Sequence, residues 1–427
     1  MTAKPSLPSA EKLYIAMVGL PAMGKSVIAY KLQDNLRNMG VAAKVFNNGE
    51  VRRRLFPENT SHAEFYNPDN AALVALREDI ALINMYDAKD FLNEEGGSIA
   101  ILDATNISAP RRRKIIAHLS DHPILFVECR NPDPDLYAAS VARKTKLSEF
   151  AHLSTEEALA SFEARIRHYR SIYCPLDSDG SGTDGCPPGE KRPEEYVIVD
   201  SLNHRIIKEH LTKEPPYYSL LRDLLVSDWV KGLCLVRHGE TEFNRESRIG
   251  GNPRLTDKGI QQARSLAARF RDKHISCVVT STLRRTREMA DILLEGRPEV
   301  ERHALREFDE INAGECDSMT YDEVRRLRPG IWESRKTDKY HAPYPGGESY
   351  ASMKDRVERG VKKALYLSGN AENLVIIGHQ AVNRMILSHF LFRREEDVPY
   401  VFIPQDRYFH IVSTQSRKLV ELLPFQS

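Results

Sequence analysis

A histidine can take a phosphoryl group from an ester if cations surround that group and an acid serves the leaving oxygen. This sequence holds candidates for each part. The run Leu233-Cys234-Leu235-Val236 delivers Arg237 and His238 directly into Gly239 and Glu240. So short an apolar run, ending in a turn, reads as a buried strand rather than a helix. A second run, Leu374 to Ile377, ends in Gly378, His379 and Gln380. In open α/β sheets ligands bind beyond the carboxyl ends of strands, so these two strand ends could set both imidazoles over one crevice. His238 is then the candidate nucleophile, forming a phosphohistidine that water clears. Arg237, Arg285 and His379 are candidates for a charge clamp around the transferring group. Glu310 is a candidate acid for the departing alkoxide, although three other carboxylates lie within five residues of it and spacing does not choose among them.

The first half offers a different phosphate site. Gly19-Leu20-Pro21-Ala22-Met23-Gly24-Lys25-Ser26 is a complete GxxxxGKS sequence, between a strand expected over 12–18 and a helix expected over 27–38. Glycines in such a loop let backbone N–H groups converge on a nucleotide's phosphates at the positive end of the helix. Lys25 would reach the β- and γ-phosphates, and Ser26 would hold Mg²⁺. A strand expected over 98–103 ends in Asp103. That acid either orients Mg²⁺ or a substrate hydroxyl beside the loop, or merely caps a helix. Arg52, Arg53 and Arg54, Arg77, Arg111 to Arg113, and Arg165 with Tyr169 one turn on, complete the set. Such arginines are often plain surface, but several placed just after strand ends would form a pocket for a phosphorylated acceptor.

Two α/β units are needed to hold these groups. At 427 residues the natural prior is two domains. Strands are expected over 43–46, 98–103, 124–128 and 196–200, and helices over 70–93 and 155–173. This alternation implies a mostly parallel sheet with helices on both faces. Leu202 to Leu211 reads as a helix closing this unit, and the connection to the second falls near 215–231. Residues 1–11 are expected to be disordered, and the Gly/Pro/Asp/Ser-rich loop 177–193 to be mobile. Further strands are expected over 277–279 and 419–423. The apolar fraction of 41% and charged fraction of 28% suit two soluble cores, and a net charge of +1 gives no pull toward nucleic acid or membrane. No apolar run approaches the roughly 20 residues that span a bilayer, and no signal region is visible. Six cysteines without CxxC spacing read as the usage of a reducing compartment rather than a disulfide framework. A cytoplasmic protein is expected.

Residues 233–427 resemble the histidine phosphatase superfamily. The whole chain, over roughly 12–425, resembles the bifunctional 6-phosphofructo-2-kinase/fructose-2,6-bisphosphatase family. In the first half the resemblance rests on the loop 19–26, on Lys44-Val45-Phe46-Asn47-Asn48-Gly49 leading to Arg52-Arg53, on Asn67-Pro68-Asp69-Asn70, on Asp103-Ala104-Thr105-Asn106, and on Phe162 to Tyr169 followed by Tyr173 to Asp177. In the second half it rests on Arg248 to Gly251, Glu310 to Gly314, Asp338-Lys339-Tyr340, Gly347 to Tyr350 and Gly378 to Val382.

The resemblance implies a P-loop kinase domain over 12–228 and a histidine phosphatase domain over 229–427, which make and hydrolyse fructose 2,6-bisphosphate. It implies that ATP is held by Gly19, Gly24, Lys25, Ser26, Val27 and Lys144, with Mg²⁺ on Ser26 and Asp103, and that Lys25, Asp103 and Lys144 are catalytic. Fructose 6-phosphate falls to Arg52, Arg77, Thr105, Arg111, Arg165 and Tyr169. His238, Glu310 and His379 are implied for bisphosphatase chemistry, which takes no cofactor. Fructose 2,6-bisphosphate falls to Arg237, Asn244, Gly250, Arg285, Tyr321, Arg335, Lys339, Tyr350, Gln380 and Arg384. A homodimer through the kinase halves is implied too, with sugar phosphates rather than nucleic acid or membrane as partners. The chain departs from the family pattern over 139–150, where Lys146 rivals Lys144, and Met23 and Pro343 stand where the family usually has arginines. The altered 139–150 segment makes a phosphatase-dominant enzyme the near alternative; a nucleic-acid end-processing kinase/phosphatase is a remoter one, against which the near-neutral charge argues.

Overall fold

The computed structural model describes residues 11–56, 63–67, 69–146, 150, 153–178, 186, 193, 195–228, 230–369, 373–391, 394–415 and 417–426. The disorder expected for 1–11 falls outside these residues apart from Glu11. The mobility expected for 177–193 likewise falls outside them, apart from Asp177, Ser178, Cys186 and Pro193. The chain divides into two compact units between Ser227 and Asp228.

The first unit is built on six strands: β1 (Leu13–Val18), β2 (Ala43–Asn47), β3 (Ile99–Asp103), β4 (Ile124–Arg130), β5 (Glu195–Asp200) and β6 (Arg205–Leu211). Their order is β2-β3-β1-β4-β5-β6. All pair in parallel except β5 with β6. β1 is buried along its whole length, as continuous apolar strands of a covered parallel sheet are. The chain leaves β1 toward β2 on one side, while β4 lies on the other. The loop after β1 therefore opens at a topological switch point, where α/β sheets bind ligands.

The helix expected over 202–211 is a strand. Asp200 accepts from the backbone N–H groups of Leu202 and Asn203 at 3.1 and 3.0 Å, which tightens a turn. His204 then takes φ 47, and β6 returns antiparallel to β5. The run lies at the sheet edge and is mostly exposed, so its apolar pattern carried little period to separate strand from helix.

The cysteine reading is corrected as well. Cys174 and Cys186 form a disulfide, both buried beside Ala109, while Cys129, Cys234, Cys277 and Cys316 are buried and outside any disulfide. A spacing of 12 residues with no CxxC pattern gave no sign of this pairing.

The second unit has β7 (Val230–Arg237), β8 (Cys277–Thr280), β9 (Glu301–Ala304), β10 (Leu374–Gly378), β11 (Arg407–Ser413) and β12 (Lys418–Pro424), in the order β12-β11-β7-β10-β8-β9. β7, β10, β8 and β9 run parallel, and β11 and β12 complete the sheet antiparallel. Buried side chains pack in two clusters, one including Leu233, Leu235 and Ile376 and the other Cys234, Val236, Val375 and Ile377. The strands thus alternate their side chains between two cores.

Candidate active sites

β7 and β10 are neighbours in parallel register, with Arg237 opposite Gly378. The next residue on each strand is a histidine, and His238 N–H donates to Gly378 O at 3.0 Å. Adjacent strand ends thereby bring the two imidazoles to a centroid separation of 5.2 Å. The helix Arg284–Leu293, which follows β8, carries Arg285 in its first turn and buries it.

These three side chains fix one another's protons. His238 Nδ1 lies 2.7 Å from Gly239 O, and a carbonyl only accepts, so Nδ1 bears the hydrogen. Arg285 Nε only donates, and it stands 3.1 Å from both His238 Nε2 and His379 Nδ1. Both nitrogens must therefore offer lone pairs. The His379 proton then sits on Nε2, which donates to Ser281 Oγ at 2.7 Å. Burial, with the Arg285 charge next in size, holds both histidines well below the usual 6.5. Both rings are neutral, and the unprotonated, nucleophilic nitrogen of His238 is Nε2, which accepts from Arg285.

Of the four clustered carboxylates, geometry singles out Glu310. Glu307 pairs with Lys363, Asp309 accepts from Thr282, and Glu315 pairs with Arg328. Glu310 alone among them lines the cavity. Its oxygens accept from the backbone N–H groups of Gln380 and Ala381 at 3.0 and 3.1 Å, at the positive end of the helix Gln380–Phe390.

The cavity holds about 420 Å³. Arg237, His238, Asn244, Gly250, Arg285, Glu310, Tyr321, Arg335, Lys339, Tyr350, Gln380 and Arg384 all line it, and His379 lies behind them with no exposed surface. Gly250 takes φ +70, where a Cβ would sit 1.9 Å from Asp317 Oδ1. At the outer end Arg335 stacks 3.8 Å from the Tyr344 ring, and Arg384 donates to the Tyr350 hydroxyl at 2.8 Å. Burial and the nearby Arg384 and Arg335 bring Lys339 down to about 8. Sequence reasoning missed Trp332, Tyr344 and Tyr400 in the lining. It also missed Gln405, whose amide donates to His238 O at 3.2 Å and Asn244 Oδ1 at 3.0 Å. Nothing in the spacing of these residues marks them.

In the first unit, Gly24 caps the helix Lys25–Asn38 in the left-handed region, φ 81, which only glycine enters freely. Lys25 begins that helix, buried, with Nζ donating to Leu20 O at 2.7 Å. Burial outweighs the nearby Asp103 charge and lowers Lys25 to about 8. Val27 follows one residue after Ser26 on the same helix. Gly19 N–H donates to Thr105 O at 3.0 Å, tying the loop to the end of β3. Asp103, the last residue of β3, accepts from Asn47 Nδ2 at 2.5 Å, and Asn47 Oδ1 in turn caps the helix Asn48–Leu55.

A cavity of about 790 Å³ opens here, lined by Lys25, Ser26, Arg52, Arg77, Asp103, Thr105, Arg111, Lys144, Arg165 and Tyr169. Lys146 is exposed and does not line it, so Lys144 is the lysine that geometry places there. Arg53 joins the lining and Arg54 does not. Arg112 is instead structural, donating to Ile107 O and Cys174 O at 2.8 and 2.9 Å. Tyr30, Asn47, Glu50, Phe65 and Tyr66 line the cavity without having been singled out as site residues. Asn47 lay in a motif already quoted, at the end of a strand, which was a usable signal.

Among the described residues no cluster of His, Cys, Asp and Glu could by itself hold a metal ion, and no helix is long and apolar enough to cross a membrane.

Residues 3–184 match the 6-phosphofructo-2-kinase family, and residues 233–423 match branch 1 of the histidine phosphatase superfamily. Over 399 residues, 91% of this chain, the sequence is 33% identical to 6-phosphofructo-2-kinase/fructose-2,6-bisphosphatase 3 of Rattus norvegicus, 68% of which is covered. It is 34% identical over the same share to form 4 of Homo sapiens, covering 80% of that protein. Against form 1 of Bos taurus it is 33% identical over 400 residues, 91% of this chain and 79% of that one.

Proposed function

The chain belongs to the 6-phosphofructo-2-kinase/fructose-2,6-bisphosphatase family, and from that premise we propose which residues carry each activity. It is a bifunctional enzyme of fructose 2,6-bisphosphate metabolism, with both 6-phosphofructo-2-kinase and fructose-2,6-bisphosphatase activities. The monofunctional reading is not favoured.

In the bisphosphatase, His238 Nε2 attacks the 2-phosphoryl group and the P–O bond to C2 breaks. Glu310 gains a proton as the dianionic phosphoryl group arrives beside it, and delivers it to the leaving oxygen. Water then attacks phosphorus, Glu310 takes a proton from it, and the P–N bond breaks to free His238. Arg237 and Arg285 neutralise the phosphoryl oxygens, and His379 orients Arg285 from behind. Asn244, Gly250 and Gln380 lie near the reacting end, while Tyr321, Arg335, Lys339, Tyr350 and Arg384 hold the 6-phosphate. The observation that carries this account is Arg285 Nε bridging both imidazoles, which leaves the His238 lone pair aimed where cations converge.

In the kinase, Lys25 and Lys144 hold the phosphate charge of ATP over the loop bearing Gly19, Gly24, Ser26 and Val27. Mg²⁺, when bound, neutralises developing charge on the phosphates. Ser26 and Asp103 would hold it, and their hydroxyl and carboxylate oxygens are suitable donors for a hard cation. Asp103, kept oriented by Asn47, aligns the 2-hydroxyl of fructose 6-phosphate. Arg52, Arg77, Thr105, Arg111, Arg165 and Tyr169 hold that sugar, so catalysis here is mostly positioning. A homodimer through the kinase halves fits the free edge of β6. The Cys174–Cys186 bond speaks against the reducing compartment that the cysteine spacing suggested.

The experiment is to quench turnover of fructose 2,6-bisphosphate labelled in its 2-phosphate. An acid-labile, alkali-stable phosphoenzyme is expected, absent in His238→Ala. Label retained by His238→Ala would move the nucleophile elsewhere.

A further inference from the structure

We propose that Tyr66 is a substrate-binding residue of the kinase cavity, its hydroxyl donating to the phosphate of the acceptor sugar. The proposal rests on reading that cavity as the fructose 6-phosphate site. Tyr66 lines the cavity yet is only 5% exposed. Its hydroxyl is buried and has no hydrogen-bond partner among the described residues. Buried tyrosine hydroxyls ordinarily find one, so an orphan on a residue that lines a cavity points to a group that enters it.

The surroundings say what kind of group. Arg165 stacks on the Tyr66 ring at 3.8 Å, and Arg52 stands 5.8 Å from the same ring. The Tyr169 ring lies 5.8 Å away. Two other buried atoms in the lining, Arg165 Nε and Arg111 Nη1, also have no partner. Guanidinium nitrogens only donate. A partner shared by two guanidinium groups and a phenol must accept several hydrogen bonds and carry negative charge, which describes a phosphate better than a sugar hydroxyl. The stacking also gives the ring a second task, since it holds the Arg165 guanidinium flat at the cavity wall.

Tyr66→Phe separates the two tasks. It keeps the ring under Arg165 and deletes only the hydroxyl. Loss of one hydrogen bond to a charged group predicts that KM for fructose 6-phosphate rises about tenfold to a hundredfold. The KM for ATP and the rate of fructose 2,6-bisphosphate hydrolysis should stay unchanged. Inorganic phosphate, tested as an inhibitor competitive with fructose 6-phosphate, should weaken by the same factor. An unchanged KM, with equal or higher thermal stability, would make the hydroxyl a packing remnant and overturn the proposal. A raised KM with unchanged phosphate inhibition would overturn the phosphate assignment. If the unsubstituted enzyme transfers no phosphoryl group to fructose 6-phosphate, the reading of the cavity falls and the proposal falls with it.

Discussion

The neutral, buried histidine pair makes the stability of the second unit depend on pH in a way that can be worked out. His238 and His379 are 3% and 0% exposed. Burial, then Arg285, depresses both below the ordinary 6.5. Below 6.5 the unfolded chain therefore binds protons that the folded chain refuses, and stability rises with pH there. The contribution is fully present above 6.5 and is lost as pH falls through the window beneath it. Between pH 7.5 and 5.5 each imidazole that stays neutral costs on the order of 1 kcal/mol, and the pair on the order of 3 kcal/mol. For a unit of this size that is a fall in Tm of about 5–10 °C. Glu240 and Glu348 are shifted downward from 4.5, so they titrate below the window. Both tryptophans, Trp229 and Trp332, lie in the second half, so intrinsic fluorescence follows this unit selectively. Denaturant melts of the full chain across that range should show the loss, and His379→Gln should halve it. A flat profile in the unsubstituted protein, or the same loss in His379→Gln, would refute the neutral-pair argument.

Two further outcomes follow from the kinase unit. Burial holds Lys25 near 8, and only its charged form attracts phosphate. ATP affinity should therefore weaken by up to about tenfold per pH unit above 8, with a proton taken up on binding. Calorimetry in buffers of different ionisation enthalpy reads this, and affinity constant from pH 7 to 9.5 would contradict it. The Cys174–Cys186 bond predicts four reactive thiols in the denatured, unreduced chain and six after reduction. Six thiols before reduction would contradict it.

The sequence carried the site's geometry wherever a local pattern dictated backbone shape. Apolar runs ending in Arg237-His238 and Gly378-His379 specified two buried strands, and parallel pairing did the rest by setting Arg237 opposite Gly378. The loop 19–26 likewise contains its own turn and helix start. What failed to show were choices made by long-range packing. Arg111 and Arg112 are adjacent and of one type, yet one lines the cavity and the other clasps the carbonyls of Ile107 and Cys174. Glu310 was one of four acids until the other three found partners and its own oxygens met a helix end 70 residues on. Gln405 reaches His238 across 167 residues, and a lone glutamine signals nothing. β6 misled because an exposed edge strand buries no clear face.

The central claim is that one chain carries two independent phosphoryl-transfer sites. The most direct test is a pair of initial rates on a single preparation. One follows fructose 2,6-bisphosphate formed from ATP, Mg²⁺ and fructose 6-phosphate; the other follows its loss. Lys25→Ala and His238→Ala serve as controls. The account predicts that both rates appear, that Lys25→Ala abolishes only synthesis, and that His238→Ala abolishes only hydrolysis. Hydrolysis without synthesis, or loss of both rates in either variant, would contradict it.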